Sequence, residues 1–448
     1  MALQSKNIFA VPHNGRFILY APLRGLVAEV SVAAVEQIRS FVKTGDPKSV
    51  DESVSKAIGG LNWIHEETRV ESPPADRPFQ PTTVTLFLTN RCNLRCSYCY
   101  ARAGEFKPHD ISLDLCKAAI DLVMKNARKQ QTSLGVSFHG GGEPTLAWDV
   151  LRECVQYARD AASNHQPGVR FGLSTNGILS DEKIVFIAQT FPVVTVSFDG
   201  PTDIQDTLRP KADGSSSFGD LMYTTRRFRE RNFPFVIRST VTNVNVNRMV
   251  EMVEFFVQEV GCRFLHFEPA FSCGRCVGAA NATPDPKVFA EEYIKALDRA
   301  IALHAGLRYS AVRLQGPMIS FCGVAQDAFN ITPYGQVTAC YEVCHPEHPL
   351  ADDFTYGRYD ASSGTFHFDQ AQIRKLRSLI VTNKAYCDGC FCRWGCAGDC
   401  PVKLEGRQLD FGSPSTRCHV NQTVTKALLA RVLENPETLN AWMPLTSS

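Results

Sequence analysis

Between residues 84 and 270 the chain alternates apolar runs of strand length with segments of helical spacing. The strand-like runs lie at 84–90, 134–139, 169–175, 193–198, 235–242 and 263–268. Regular alternation of this kind predicts a parallel sheet with helices packed outside it. Six such units predict an α/β fold of the partial (β/α)6 TIM-type barrel, in which chemistry gathers at the carboxyl ends of the strands.

The segments on either side of this alternation have different patterns. Three short apolar runs and two helical patterns come first, at 8–11, 17–20, 26–30, 32–41 and 50–57. They predict a small α+β domain over residues 1–80, and the proline-rich segment 71–81 separates it from the barrel at 81–305. Residues 306–448 are rich in cysteine and glycine and end in a helical pattern at 422–433, so we expect a third domain there.

Composition narrows the class of protein. The chain has 448 residues, of which 44% are hydrophobic and 21% charged, and a net charge of +1 gives no electrostatic case for a nucleic-acid partner. We find no signal peptide and no apolar run near the about 20 residues that span a bilayer, so we expect a cytoplasmic protein with no membrane partner. In a reducing compartment its 17 cysteines are better metal ligands than disulfides.

Cys92, Cys96 and Cys99 follow the first predicted barrel strand with three and two residues between them. Three thiolates on one tight loop can hold three irons of a [4Fe–4S] cube and leave the fourth without a protein ligand. Such an iron can chelate S-adenosylmethionine, and one electron then cleaves it to a 5′-deoxyadenosyl radical. A zinc knuckle is the alternative, but His109 and His139 are not at finger spacing from these cysteines.

This loop, with Tyr98 before its last cysteine, resembles the CxxxCxxC loop of the radical SAM superfamily. The resemblance implies the partial barrel, S-adenosylmethionine as cofactor and a flavodoxin or ferredoxin-type electron donor. After the second strand, four residues resemble the family's GGEP motif and would meet the methionine end of S-adenosylmethionine: Gly141, Gly142, Glu143 and Pro144. Alone, a glycine-rich segment indicates a turn as readily as a cofactor site.

Further residues at strand ends resemble family positions near the ribose and carboxylate of S-adenosylmethionine. They are Ser174, Asn176, Ser197 and, as a carboxylate partner, Arg209. The alternative is that Asn176-Gly177 and Asp199-Gly200 are turn formers. Arg238–Thr240 on the fifth strand could also face the pocket, but we expect core packing.

The cysteines of the last domain resemble the SPASM domain of radical SAM enzymes, which carries auxiliary [4Fe–4S] clusters. The resemblance implies three clusters in the chain, with one auxiliary cluster on Cys387, Cys390, Cys396 and Cys418 and another on Cys322, Cys340 and Cys400. For the fourth ligand of the second cluster, Cys344, Cys273, Cys276 and an open iron that binds substrate all remain candidates. Zinc is the alternative for the array, and Cys392, Cys116 and Cys154 are expected to be buried free thiols.

The resemblance favours a peptide maturase that forms a thioether or carbon–carbon crosslink in a ribosomally made peptide. Residues 1–80 would then be a winged-helix-like module that binds a leader peptide, or a structural cap. An anaerobic sulfatase-maturating enzyme forming formylglycine is the first alternative, and a non-catalytic iron–sulfur electron carrier or scaffold the second. The strand at 263–268 and the following Cys273–Cys276 are where we expect substrate contacts, although packing explains His266 equally well.

Overall fold

The computed structural model describes residues 2–3, 7–44, 46–55, 68–278, 283–403 and 417–436. Its strands are β1 Ala2–Leu3, β2 Ile8–His13, β3 Arg16–Ala21, β4 Leu26–Val30, β5 Thr83–Leu86, β6 Leu134–Phe138, β7 Val169–Thr175, β8 Val194–Ser197, β9 Phe235–Val241, β10 Phe264–Pro269, β11 Gly306–Arg308, β12 Phe329–Ile331, β13 Gln336–Thr338, β14 Thr355–Asp360 and β15 Thr365–Phe368. Its helices are α1 Val32–Thr44, α2 Leu113–Gln130, α3 Trp148–Ala161, α4 Asp181–Thr190, α5 Thr202–Leu208, α6 Phe218–Glu230, α7 Met249–Glu254, α8 Pro286–Ala302, α9 Ala351–Phe354, α10 Gln370–Arg377, α11 Arg393–Cys396 and α12 Cys418–Glu434.

The described residues fall into two compact units. The first is drawn from segments 1–74, 309–322 and 379–443, and the second from segments 75–308 and 323–378. Both units are therefore built from pieces that are distant in sequence. None of the helices in the described part of the chain is long and apolar enough to cross a bilayer.

The first unit contains an antiparallel sheet in the order β1-β2-β3-β4, which confirms the three predicted strands. Asn14 and Gly15 join β2 to β3 with φ angles of 46° and 74°, the left-handed values that a two-residue hairpin turn requires. Of the second predicted helix, at 50–57, residues 52–55 are helical and the last two residues lie outside the described part.

Both faces of this sheet are covered, because alternate side chains of a strand point to opposite sides. One face packs against α1 through Ile8, Ala10, Leu19, Ala21 and Leu26, with Val35 and Ile38 on the helix. The other face packs against α12 through Phe9, Val11, Ile18 and Tyr20, with Leu429 and Ala430 on the helix. The amino-terminal sheet and the carboxyl-terminal helix therefore share one hydrophobic core.

The second unit contains a sheet in the order β11-β10-β9-β8-β7-β6-β5-β12-β13-β14-β15. Strands β5 to β11 are parallel, and the six predicted barrel strands correspond to β5 to β10. β11 extends the predicted set; its three residues are too few to show a period. Within the described part of the chain the parallel run ends at β11, as in an incomplete barrel.

Some helices of the second unit begin at polar caps, and α2 shows how such a helix buries one stripe. The Ser112 hydroxyl accepts a hydrogen bond from the Leu115 amide at the start of α2, and Asp285 does the same for two amides at the start of α8. The buried positions of α2 recur at three- and four-residue intervals: Leu115, Cys116, Ala119, Ile120, Val123, Met124 and Ala127. Cys116 and Cys154 are buried on α2 and α3, as predicted.

The two faces of the parallel strands differ in chemistry. One face is apolar and buried: Val84, Leu86, Val136, Phe138, Leu173, Val194, Val196, Ile237 and Val241. The other, which we call the polar face, carries Thr85, Ser137, Ser174, Thr195, Ser197, Arg238, Thr240, His266, Glu268 and Arg308. The core packing expected for Arg238–Thr240 is right for Ser239, which is fully buried, and wrong for Arg238, which is exposed. The alternation of a strand explains the difference, because neighbouring residues face opposite ways.

Candidate active site

The loop after β5 carries three predicted cluster ligands, and we call residues 91–104 the cysteine loop. Two backbone hydrogen bonds fasten it to the end of α5: Arg95 N donates to Pro210 O at 2.8 Å, and Ser97 N donates to Leu208 O at 2.9 Å. These bonds fix the course of the loop on both sides of its central cysteine.

The thiols of Cys92, Cys96 and Cys99 lie close enough to affect one another's ionisation. Burial raises the pKa of Cys96 to about 12; the Arg209 guanidinium lowers that pKa, and the two other cysteines raise it. Burial likewise raises the pKa of Cys92. Cysteine binds metals as the thiolate, so bound iron would take the place of these protons. Three sulfur donors on one loop fit an iron–sulfur cluster.

The same donors do not fit a single metal ion. Among the described residues, no three His, Cys, Asp or Glu side chains converge as one ion would require. Structural zinc takes four ligands at about 2.0–2.3 Å. A cube of four irons is wider than one ion, so its thiolates stand further apart. The geometry therefore favours the iron–sulfur interpretation over the zinc knuckle.

The glycine loop at 140–143 lies directly against the start of the cysteine loop. Gly142 N donates to Thr89 O, and Glu143 N donates to Arg91 O, both at 2.8 Å. A Cβ atom on Gly142 would stand 2.0 Å from Arg91 O, a distance at which no side chain fits. Gly141 has a φ of 64°, which favours glycine as well. Both glycines are thus required by close backbone approach, and Pro144 begins the turn that follows.

Glu143 joins this loop to the end of β7. Its Oε1 accepts from the hydroxyls of Thr145 and Thr175, each at 2.8 Å, and its Oε2 accepts from Asn176 N at 2.6 Å. The side chain is 3% exposed. Both carboxylate oxygens of Glu143 thus accept hydrogen bonds from protein groups, and the side chain fixes the ends of β6 and β7 relative to each other. The predicted contact with the methionine end of S-adenosylmethionine stays a prediction.

Asn176 continues the connection to the cysteine loop. Its Nδ2 donates to Asn93 Oδ1 at 2.7 Å and lies 3.8 Å from Cys92 Sγ. Ser174 and Ser197 are half-buried on the polar face of adjacent strands, the first paired with Thr195 across the sheet. The structure thus brings the predicted residues after β5, β6, β7 and β8 to one edge of the sheet.

Tyr98 and Arg209 belong to a buried chain of polar contacts that includes Asp199. Arg209 Nη1 donates to the Tyr98 hydroxyl at 2.6 Å, and this hydroxyl donates to Asp199 Oδ2 at 2.5 Å. Asp199 Oδ1 also accepts from Thr240 N at 3.0 Å. Burial raises the pKa of Asp199, although Arg209 lowers it. The buried Nε of Arg209 has no hydrogen-bond partner within the described residues, so one donor is left for a ligand.

Sequence reasoning missed Arg275, which holds the other side of the cysteine loop. Its guanidinium donates to Cys96 O at 3.0 Å and to Ala103 O at 2.7 Å, and it pairs with Glu105. Gly274 packs so tightly that a Cβ atom there would stand 2.2 Å from Cys99 O. The feature of the sequence that could have identified Arg275 is the Cys273–Cys276 motif, which contains it and forms a turn against the cysteine loop.

Cysteines proposed as a further ligand lie in the same neighbourhood. Cys344 is buried in a cluster with Phe87 and Ala101 against which Cys99 packs, and Cys99 raises its pKa electrostatically. Cys99 also raises the pKa of Cys276, where burial is the larger cause. Two candidates for the fourth auxiliary ligand therefore approach the cysteine loop.

The carboxyl-terminal array gathers four thiols in the first unit. Burial raises the pKa of Cys387 to about 12, and Cys390 and Cys418 raise it further. Cys418 and Cys387 in turn raise the pKa of Cys396. These mutual effects show that the predicted ligands of one auxiliary cluster lie together. Cys392 is buried beside them.

Lys384 and Asn421 support this array from within. Lys384 is 2% exposed, and its ammonium donates to Gly398 O at 3.0 Å; burial lowers its pKa while Cys387 raises it. Asn421 Nδ2 lies 3.2 Å from Cys396 Sγ. Of the second predicted set, Cys322 and Cys400 belong to the first unit and Cys340 to the second.

Comparison with known proteins defines the class. Residues 86–256 match the family model described as "Radical SAM superfamily", so the chain carries a radical SAM domain. This family implies a [4Fe–4S] cluster and S-adenosylmethionine, and it makes the chain an enzyme rather than a carrier. The chain is 33% identical over 173 residues to an uncharacterized protein of Methanocaldococcus jannaschii; that match covers 38% of this chain and 57% of that protein.

Particular relatives are maturases. The mycofactocin maturase MftC of Mycobacterium tuberculosis is 26% identical over 348 residues, 75% of this chain and 83% of that protein. A cysteine-type anaerobic sulfatase-maturating enzyme of Clostridium novyi is 27% identical over 188 residues, 40% of this chain and 49% of that protein.

Solved structures share the fold. The protein anSMEcpe with bound AdoMet superimposes with a TM-score of 0.65 and 19% identity, over 81% of this chain and 98% of that one. Streptococcus suis SuiB bound to its precursor peptide SuiA does so with a TM-score of 0.55 and 14% identity, over 94% of this chain and 100% of that one. These structures show the same fold, and the family model confirms the predicted radical SAM domain.

Proposed function

We propose that the chain is a peptide maturase that forms a thioether or carbon–carbon crosslink in a ribosomally made peptide. The main support is that the similarity of the chain to a mycofactocin maturase extends over 348 residues, well beyond the radical SAM domain. The match to the sulfatase-maturating enzyme covers 188 residues. The longer match therefore favours a function like that of the mycofactocin maturase over that of the sulfatase-maturating enzyme.

Cys92, Cys96 and Cys99 would hold the catalytic cluster. When bound, a [4Fe–4S] cube with one open iron would bind S-adenosylmethionine and supply the electron that cleaves it to a 5′-deoxyadenosyl radical. The chain itself orients the site: Asn176 steadies the loop beside Cys92, and Arg275 binds the carbonyl of Cys96. A rigid loop keeps the reacting centre in one place, as hydrogen abstraction requires.

The polar face would receive the cofactor and the peptide. Ser174 and Ser197 place hydroxyls where the ribose of S-adenosylmethionine is expected, and Arg209 offers its unpaired Nε to an anionic group. Gly141 and Gly142 let backbone atoms approach the methionine end. Strands β9 to β11 then remain for the peptide.

The chain would also hold two auxiliary clusters. Cys387, Cys390, Cys396 and Cys418 would hold one, supported by their mutual proximity. Cys322, Cys340 and Cys400 would contribute to the other. Residues 1–80 would bind a leader peptide, and a flavodoxin or ferredoxin-type protein would supply electrons.

Coexpression with short peptides encoded beside the gene tests the proposal. Intact and fragment mass spectrometry should show a peptide that has lost two hydrogen atoms per crosslink, with fragments missing between the joined residues. The matched control is the same coexpression with Cys96→Ala. A neighbouring sulfatase whose cysteine or serine becomes formylglycine, with the peptide unchanged, would replace this proposal by the sulfatase alternative.

A further inference from the structure

Three basic side chains stand side by side on the polar face. Arg238 on β9 is the direct partner of His266 on β10, which is the direct partner of Arg308 on β11. We call Arg238, His266 and Arg308 the basic row. Neighbouring strands are about 4.8 Å apart, so the backbones of the two arginines are separated by two strand spacings with His266 between them.

Among the described residues, one carboxylate lies beside the basic row, and its single negative charge cannot neutralise two guanidinium groups. Glu268 lies two residues beyond His266 on the same face, with Oε1 2.8 Å from His266 Nε2. Burial lowers the pKa of His266, and Arg238 and Arg308 lower it too, whereas Glu268 raises it; the result is a neutral imidazole at neutral pH. Within the described residues, two guanidinium groups therefore face one carboxylate.

Three further titratable groups of the described residues lie near the row, and each is neutral at neutral pH. Burial lowers the pKa of His139 to about 4, and the charge of Arg238 lowers it too, so the imidazole is neutral at neutral pH. Burial raises the pKa of Tyr100, although Arg238 lowers it, so the hydroxyl keeps its proton at neutral pH. Tyr293 lies near Arg308 and donates its hydroxyl hydrogen to Leu307 O.

Neither arginine is committed to a protein partner. Within the described part of the chain, no hydrogen bond or ion pair is made by the guanidinium of Arg238 or of Arg308. By contrast, Arg263 at the start of β10 donates to Leu303 O at 2.8 Å, and Arg275 binds three groups. Arg238 and Arg308 thus stand on either side of His266, and a guanidinium without a protein partner is well suited to bind a carboxylate.

We propose that Arg238 and Arg308 bind a carboxylate of the peptide substrate. The place is suitable because Ser197, expected at the cofactor, is the direct cross-strand partner of Arg238. A carboxylate held here anchors the peptide beside the radical source. This inference rests on the proposed function and adds its substrate class: a peptide with an acidic side chain or a free carboxyl terminus near the modified residue.

Binding of three labelled short peptides of one neutral sequence, measured by fluorescence anisotropy with S-adenosylmethionine present, tests this. One peptide ends in a free carboxylate, the second has a carboxyl-terminal amide and one aspartate, and the third has the amide and no acid. The reconstituted protein should bind one acidic peptide about tenfold more tightly than the neutral one. The preferred peptide identifies the source of the carboxylate.

Arg238→Gln and Arg308→Gln should each remove that preference, while Arg308→Lys should keep part of it. Arg358→Gln is the matched control, because Arg358 is an exposed arginine on β14, opposite Gln336. The inference is overturned if the protein binds all three peptides equally or if both glutamine variants keep the preference. It is also overturned if these variants lose affinity for S-adenosylmethionine alone, which would assign the row to the cofactor's carboxylate.

Failure of this inference and failure of the proposed function give different results. If the glutamine variants crosslink the coexpressed peptide as fully as the wild type, the carboxylate site is wrong and the maturase proposal stands. If the wild type shows the acidic preference but crosslinks no peptide, the carboxylate site stands and the maturase proposal fails.

Discussion

The hydroxyl of Tyr98 links the cysteine loop to the end of β8. It donates to Asp199 and accepts from Arg209, and all three side chains are shielded from solvent. Tyr98→Phe would leave two buried polar groups without this partner, so we expect a loss of about 1–3 kcal/mol in the free energy of unfolding. Anaerobic denaturant titration of the full chain measures it.

Tyr157→Phe is the matched control for that substitution. The Tyr157 hydroxyl donates to Asp121 at 2.8 Å in an exposed setting, where water replaces a lost partner. Its cost should stay within about 0.5 kcal/mol. Equal losses in the two variants would contradict a buried role for Tyr98.

At the scale of single residues, sequence reasoning succeeded where a chemical type recurs at fixed spacing. It selected Cys92 and Asn176, and in the structure Asn176 Nδ2 lies 3.8 Å from Cys92 Sγ. It missed Arg275 and Arg308, because the residues near them in space lie on other strands and loops and only the folded chain brings them together. Glu143 was selected, but three of its four internal hydrogen bonds depend on threonines that no local pattern marks.

Among the elements, the glycine loop is the one most constrained by contact. Gly142→Ala would drive a Cβ atom into Arg91 O and break the two backbone bonds that join this loop to the start of the cysteine loop. We expect a loss of about 1–3 kcal/mol in stability and weaker binding of S-adenosylmethionine. Denaturant titration and equilibrium binding measure the two effects.

Gly219→Ala is the control for that change. Gly219 lies in the first turn of α6, and a Cβ atom there would meet nothing within 4 Å. Alanine is favoured over glycine in a helix by up to about 1 kcal/mol, so this variant should be as stable as the wild type or more so. If Gly142→Ala behaved in the same way, the close approach of the two loops would be wrong.

The sequence predicted most elements because their patterns are local. Five of the six predicted barrel strands agree closely with β6 to β10, whereas β5 ends at Leu86 instead of residue 90. There the chain turns away from the sheet, and Thr89 forms a bridge with Asp110 instead. β11 was not predicted, since its three residues pair with β10 through backbone contacts that carry no sequence signal.

At the scale of the whole molecule, the two units are assembled from distant segments. The apolar stripe of α12 indicates that the helix is buried, but not that Leu429 packs on the sheet containing Ile18. Deleting residues 1–80 would therefore expose the core of the first unit as well as remove the proposed leader-binding module. Leader-peptide recognition is better tested by point substitutions on the intact chain.

The central claim is that Cys92, Cys96 and Cys99 hold a cluster that activates S-adenosylmethionine. The measurement is 5′-deoxyadenosine formed by anaerobically reconstituted protein with a reductant, alongside iron content. Cys96→Ala should abolish 5′-deoxyadenosine and lower iron from about twelve to about eight atoms per chain, because the auxiliary clusters remain. Cys154→Ala, a buried thiol on α3, should match the wild type. Persistent 5′-deoxyadenosine formation by Cys96→Ala would contradict the account.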